Sequence, residues 1–204
     1  TLHNTLFPYT TLFRSLIRSI NRVTPVTPFA FMAAVILTRH RRGFQWDELM
    51  GSIQVILAFL EKYRVPMAST LNRTETAMME TLAVLLESGV INTLENVDKS
   101  ETFYYLEEEK IPELAYYKNS IIHYFISHAF VALSLLTGTE EIKPPGQIRA
   151  DFAFLKGVFR YEFIYDEPET DTQKMDEALA YFMETGFIVE EGVKDQHGYR
   201  LTKP

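Results

Sequence analysis

Apolar residues fall along this chain in blocks of helical length, divided by short polar breaks that carry Pro or Gly. From Phe29 to about Arg39 the run is Ala- and Met-rich and apolar on nearly all sides, which predicts a buried helix. Val23-Thr24-Pro25-Val26-Thr27-Pro28 leads into it. Each Pro biases the residue before it to extended backbone, Thr27 can cap the helix, and Pro28 suits its first position. Arg39-His40-Arg41-Arg42-Gly43 closes the run, with cations where the helix dipole favours them. A second helix is predicted from Trp46 to about Tyr63, and Pro66 ends that element. Between Thr74 and Ser88, Ala77, Met78, Thr81, Leu82, Leu85 and Leu86 recur at three/four spacing, a third helix stopped by Gly89. Val90-Ile91 and Phe103-Tyr104-Tyr105-Leu106 then read as two short strands around a polar turn.

The second half repeats the plan. One long apolar helix is predicted over about Ala115 to Leu136, ended by Gly138 and the Lys143-Pro144-Pro145-Gly146 breaker. Others follow over about Gln147 to Tyr165 and Thr172 to Thr185, then strands near Phe187-Ile188-Val189 and Tyr199-Arg200-Leu201. The third helices match most closely. Leu82 to Ile91 and Leu179 to Ile188, 97 residues apart, both fit L-A-x-Φ-Φ-E-[S/T]-G-Φ-I, with Φ apolar. Helix–Gly–strand junctions can look alike without duplication, because Gly supplies the left-handed cap in each. The offset shared with the hairpins is what favours a repeat. Three helices followed by a hairpin is the plan of a winged-helix unit. The expected fold is therefore mainly α with short β-hairpins: two tandem winged-helix-like three-helix units, 16–110 and 111–204, with a long central apolar helix.

Residues 1–15 are set apart from that plan. Thr5 to Ser15 reads like the in-frame translation of a sequencing-adapter oligonucleotide, so 1–15 is expected to be an artefact and the native N-terminus to be missing. Composition adds limits rather than a function. Hydrophobic residues make up 47% and charged residues 23%, the balance of a globular chain, and 204 residues can bury a core. A net charge of −7 argues against a nucleic-acid binder. With no Cys, no disulfide, thiolate nucleophile or Cys-ligated metal can form. Asn119 to Thr139 lacks Lys, Arg, Asp and Glu over a span-like length, but Asn119, Ser120, His123, Ser127, His128 and Ser134 spread polar groups through it. That pattern fits a central helix of a folded domain better than a membrane span.

Candidate chemistry is sparse. His123 and His128 are five apart, about 140° around a helix, so they do not share a face as the i, i+4 zinc spacing requires. Tyr116, Tyr117, Lys118, Asn119 and His123 form the densest polar cluster, with Asn119 and His123 on one helical face. They are candidates for a domain interface. Arg39, Arg41 and Arg42 form the densest basic patch and are candidates for contact with an anionic surface. Glu107-Glu108-Glu109 and Asp166 to Asp171 lack the Asp/Asn-and-Gly pattern of a calcium loop and read as solvated. The third helices, which a winged-helix unit offers to DNA, carry Glu75, Glu80 and Glu87, and Asp171, Asp176, Glu177 and Glu184. Phosphates would repel them. No Gly-rich phosphate loop, H-E-x-x-H or G-x-S-x-G occurs, and no catalytic, metal or cofactor residue is assigned.

The entry Arg22 to Pro28 and the segment Tyr116-Tyr117-Lys118-Asn119-Ser120-Ile121-Ile122-His123, of pattern Y-Y-K-N-x-x-x-H, resemble the C-terminal region of bacterial glycerol-3-phosphate 1-O-acyltransferases. These are related to mitochondrial acyltransferases of glycerol 3-phosphate and dihydroxyacetone phosphate. The resemblance runs from about Ile20 to the C-terminus. It implies a parent enzyme that acylates glycerol 3-phosphate from acyl-CoA or acyl-carrier protein, giving lysophosphatidic acid for phospholipid synthesis. Glycerolipid acyltransferases use an H-x-x-x-x-D motif, but the fifth residue after each His here is Pro8, Gln45, His128, Leu133 or Thr202. The resemblance thus implies an accessory half without catalytic residues of its own. Its expected partners are a catalytic domain N-terminal to it and, peripherally, the anionic cytoplasmic face of the inner membrane.

Overall fold

A computed structural model describes residues 6–95, 102–137, 142–165, 170–193 and 196–202. Among them the chain is mainly helical with two small antiparallel strand pairs. In order these are α1 (Leu6–Val23), α2 (Pro28–Arg39), α3 (Trp46–Lys62), α4 (Thr74–Glu87), β1 (Ile91–Glu95), β2 (Thr102–Leu106), α5 (Ile111–Asn119), α6 (Ile126–Leu136), α7 (Pro145–Val158), α8 (Asp171–Glu184), β3 (Ile188–Val193) and β4 (Gln196–Leu201). Two compact units divide the chain: Asn21–His123, and Thr1–Ile20 with Tyr124–Pro204. The predicted polar turn of the first hairpin and the Gly138 stop lie outside the described residues.

The first unit is built around α2. Thr27 Oγ1 accepts the Ala30 N–H at 3.3 Å, with Pro28 opening the helix, as the entry sequence predicts. Ala30 to Ile36 are all buried, so this helix is covered on every side. Leu49, Ile53 and Leu60 of α3, Met78, Leu82 and Leu85 of α4, and Leu114 of α5 are buried in the same unit. The extended entry is pinned by Val26, whose N–H donates to Pro66 O at 2.8 Å and whose carbonyl accepts the Ala68 N–H at 2.9 Å. In the second unit, α6, α7, α8 and β3 share a core of Ile126, Phe130, Val131, Ile148, Phe152, Met175, Ala178, Leu179 and Ile188.

Starting at α2 and again at α6, the chain runs through the same order of three helices and a hairpin. In each, the third helix is followed by a positive-φ glycine, Gly89 (φ 67) or Gly186 (φ 75), and then by a hairpin. The residue after each glycine donates back into its helix: Val90 to Leu85 O at 3.0 Å, Phe187 to Phe182 O at 2.8 Å. A single residue before each second helix adds one rung to the hairpin. Phe44 exchanges both backbone bonds with Tyr104 at 2.9 Å, and Lys143 does so with Tyr199 at 2.8 and 2.9 Å. Both rungs need a glycine. A Cβ on Gly43 (φ 134) would meet the Phe103 ring at 2.4 Å, and one on Gly198 would meet Lys143 O at 2.7 Å.

Two elements differ from expectation. The long central apolar helix is absent: α5 stops at Asn119, a 3-10 turn covers Ile122–Tyr124, and α6 starts at Ile126. The N–H groups of Ser120 and Ile121 bond three residues back, to Tyr117 O and Lys118 O at 3.1 Å, and the Ser120 hydroxyl also donates to Tyr117 O at 2.7 Å. Those bonds tighten and close the helix. α5 packs on α2, with Leu114 fully buried, and so belongs with Asn21–His123. α7 ends at Val158 rather than near Tyr165. The unwound chain brings the rings of Phe159 and Tyr165 to 5.8 and 6.4 Å from Phe130, which a continued helix would point elsewhere.

Candidate functional site

The Tyr116 to His123 segment splits between two structural jobs. Tyr117 lies 5.6 Å from the Phe29 ring, at the start of α2, and Tyr116 packs edge-on to Tyr117 while remaining 77% exposed. Lys118 is half-buried and Asn119, the last residue of α5, is exposed. His123 sits in the 3-10 turn and its Nε2 donates to Asn21 O at 3.0 Å. Burial lowers its pKa, only partly offset by the carbonyls of Asn21 and Ser120, so the ring is neutral at pH 7. It ties the segment to the C-terminal turn of α1, which leaves a carbonyl in need of a donor.

Arg39, Arg41 and Arg42 are exposed at the C-terminal end of α2, on the turn that the Phe44–Tyr104 rung holds to the hairpin. His40, between them, turns inward to Ser52 Oγ at 2.8 Å, and burial lowers its pKa. The turn therefore offers guanidinium groups and not the imidazole. Just beyond it, a cleft of about 330 Å³ is lined by Gln45, Trp46, Asp47, Thr102 and Tyr104. Among the described residues, Asp47 is the carboxylate of its lining.

His128 is carried by α6, away from the 3-10 turn that holds His123. Its ring stands edge-on to Tyr181 and Phe182 at 5.5 and 6.1 Å, and burial drives its pKa down to about 4. Among the described residues no group of three or more His, Cys, Asp or Glu is placed to hold a metal ion. None of their helices is long and apolar enough to cross a membrane. On the third helices Glu75, Glu80, Glu87, Asp176, Glu177 and Glu184 are all exposed. Part of the acidic stretch Asp166 to Asp171 lies outside the described residues, while Asp171 pairs with Lys156 at 2.7 Å.

One polar cluster is not evident from sequence reasoning. Lys143, only 8% exposed, donates to Ser134 O at 2.6 Å, to Thr137 O at 2.8 Å and to Asp151 Oδ2 at 2.8 Å. Ser134 Oγ donates to the same carboxylate at 2.6 Å and Gln147 to its other oxygen at 2.7 Å. Burial alone would push the Asp151 carboxyl up, but these partners outweigh it and hold the carboxyl below the usual carboxylate range. The arrangement ties the last carbonyls of α6 to α7. Its readable signal was a lone cation just after an apolar helix, where free carbonyls need donors.

The described geometry thus consists of packing and capping devices with exposed patches. Residues 5–202 match the family described as "Glycerol-3-phosphate acyltransferase C-terminal region". The proteins named "Putative acyltransferase plsB1" of Mycobacterium bovis and of Mycobacterium tuberculosis H37Rv are each 24% identical over 151 residues, 72% of this chain. The matched part is 24% of the relatives' own length, so the chain spans about a quarter of them. The chain belongs to the glycerol-3-phosphate acyltransferase C-terminal region family.

Proposed function

We propose that this chain is the C-terminal accessory region of a glycerol-3-phosphate O-acyltransferase whose catalytic domain lies N-terminal to it. The parent enzyme transfers an acyl group from acyl-CoA or acyl-carrier protein to glycerol 3-phosphate, giving lysophosphatidic acid for phospholipid synthesis. The observation that carries this is the family match over residues 5–202. Supporting it, no His is followed by Asp five residues on, and burial lowers the pKa of the half-buried His123 and His128. The exposed parts of Tyr116, Tyr117, Lys118 and Asn119 serve the interface with the catalytic domain, and His123 fixes the segment's shape. Arg39, Arg41 and Arg42 contact anionic lipid on the cytoplasmic side of the inner membrane, as a peripheral patch.

The fold reading behind this is two winged-helix-like units in tandem. What supports it is the shared order of three helices and a hairpin, with the Phe44 and Lys143 rungs in equivalent places. A tandem interaction module is the second reading, favoured by that repeat. Exposed carboxylates on α4 and α8 count against nucleic acid as its target. The deciding experiment expresses the complete reading frame and measures acylation of glycerol 3-phosphate with acyl-CoA and with acyl-carrier protein. Transfer by the complete protein and none by this chain alone is expected. A complete protein without transfer from either donor overturns the reading.

A further inference from the structure

The outer face of α7 is unlike any ordinary solvated face. Ile148, Phe152 and Leu155 turn toward the core. On the opposite side Ala150, Ala153, Phe154, Gly157 and Val158 are all exposed, and Tyr161 continues the stripe in the turn beyond the helix. Phe154, Val158 and Tyr161 are 70%, 55% and 82% exposed, so three large apolar side chains share one strip of surface. Arg149 and Asp151 flank the strip along α7, and at its far end the Arg160 guanidinium lies over the Tyr161 ring, 4.5 Å from its centroid. An apolar centre with a charged rim is the anatomy of a protein interface.

We propose that this face of α7 is a docking surface for the catalytic part of the same polypeptide. The inference rests on the proposed function for the identity of that partner. Three observations favour a folded protein over lipid. Ala150, Ala153 and Gly157 alternate with the large side chains, giving a relief of ridges and gaps that a fluid bilayer has no need of. Gly157 is the penultimate residue of α7, and a Cβ there meets nothing within 4 Å. That gap is open in this chain and suits the close approach of another backbone. Residues 124–204 hold 14 Asp and Glu against 8 Lys and Arg, which disfavours an anionic membrane. The relatives supply the partner's extent, since about three-quarters of their length lies outside the matched part.

The test uses the complete reading frame with p-benzoylphenylalanine in place of Phe154, irradiated and mapped by mass spectrometry. Cross-links to peptides N-terminal to this 204-residue segment are expected. Adding Gly157→Trp fills the gap and should cut their yield at least tenfold. In the isolated chain the same substitution should leave the circular dichroism and Tm unchanged, because nothing lies over Gly157. Cross-links within the segment, to a second copy, or only to added phosphatidylglycerol vesicles overturn the proposal, as does an upstream cross-link yield that Gly157→Trp leaves unchanged. Acyl transfer is assayed on the same preparations. An inactive protein with upstream cross-links refutes the functional reading alone, and an active one without them refutes the docking face alone.

Discussion

An ammonium that sits 2.6 Å from Ser134 O and 2.8 Å from Asp151 Oδ2, with Lys143 only 8% exposed, has exchanged water for three fixed acceptors. Removing it strands those acceptors. Lys143→Met should destabilise the second unit by about 3 kcal/mol, read as a shift in urea midpoint at constant m-value. Lys143→Met with Asp151→Leu should cost less than the single change, because no half-buried carboxylate is then left without its cation. A double-mutant cycle with no coupling would deny the pair its role. Two groups of the same unit set an acid limit. His128 has its pKa lowered from 6.5 to about 4, so between those values the unfolded chain binds the extra proton. Stability from this group is complete above about pH 6.5 and is lost as pH falls toward 4. Asp151, also lowered, loses its share only below the ordinary carboxylate range, as pH falls through its folded pKa. Tm measured against pH should therefore fall from pH 6.5 downward, and His128→Phe should flatten the slope between 6.5 and 4. A slope unchanged by that substitution would place the sensitivity elsewhere.

At the scale of elements, periodicity found most helices because their apolar faces are regular. α4 and α8 begin and end 97 residues apart, as the repeated L-A-x-Φ-Φ-E-[S/T]-G-Φ-I pattern implies. The same method merged α5 and α6, since Ser120, Ile121 and Ile122 carry no Pro or Gly to mark a stop. The break comes from a hydroxyl and two amides bonding three residues back, a choice that hydropathy does not encode. α7 was overrun for a related reason: Phe159, Phe163 and Tyr165 suit a helix by composition, but the chain unwinds to bring rings to Phe130. The rungs at Phe44 and Lys143 were equally hidden, because a one-residue strand has no period. Gly198 exposes the rung to test. Gly198→Ala drives a Cβ to 2.7 Å from Lys143 O, backbone that cannot swing aside, and should cost about 2 kcal/mol in chemical denaturation. Gly146→Ala, with nothing within 4 Å, is the matched control and should change stability by less than about 1 kcal/mol. Equal effects would mean the rung is not under steric constraint.

For the whole molecule, charge is distributed more tellingly than its total suggests. Residues 16–46 carry five Arg and no Asp or Glu, while the chain as a whole is at −7. Screening at physiological salt acts over about 8 Å, so a surface meeting Arg39, Arg41 and Arg42 feels mainly those cations. The patch follows a buried helix and precedes a pinned rung, so its exposed guanidinium groups project from backbone held on both sides. If it is the lipid contact, each cation contributes about 1 kcal/mol near an anionic membrane, and three together about 3 kcal/mol. Replacing Arg39, Arg41 and Arg42 by Gln should then weaken binding to phosphatidylglycerol vesicles about 100-fold. Cosedimentation at two salt concentrations reads this directly: native binding should fall as salt rises, and the triple variant should show little salt dependence. Neutral phosphatidylcholine vesicles should bind neither form. Salt-independent binding that survives the triple change would remove the patch from membrane contact while leaving the family assignment untouched, since that rests on residues 5–202 and not on three guanidinium groups.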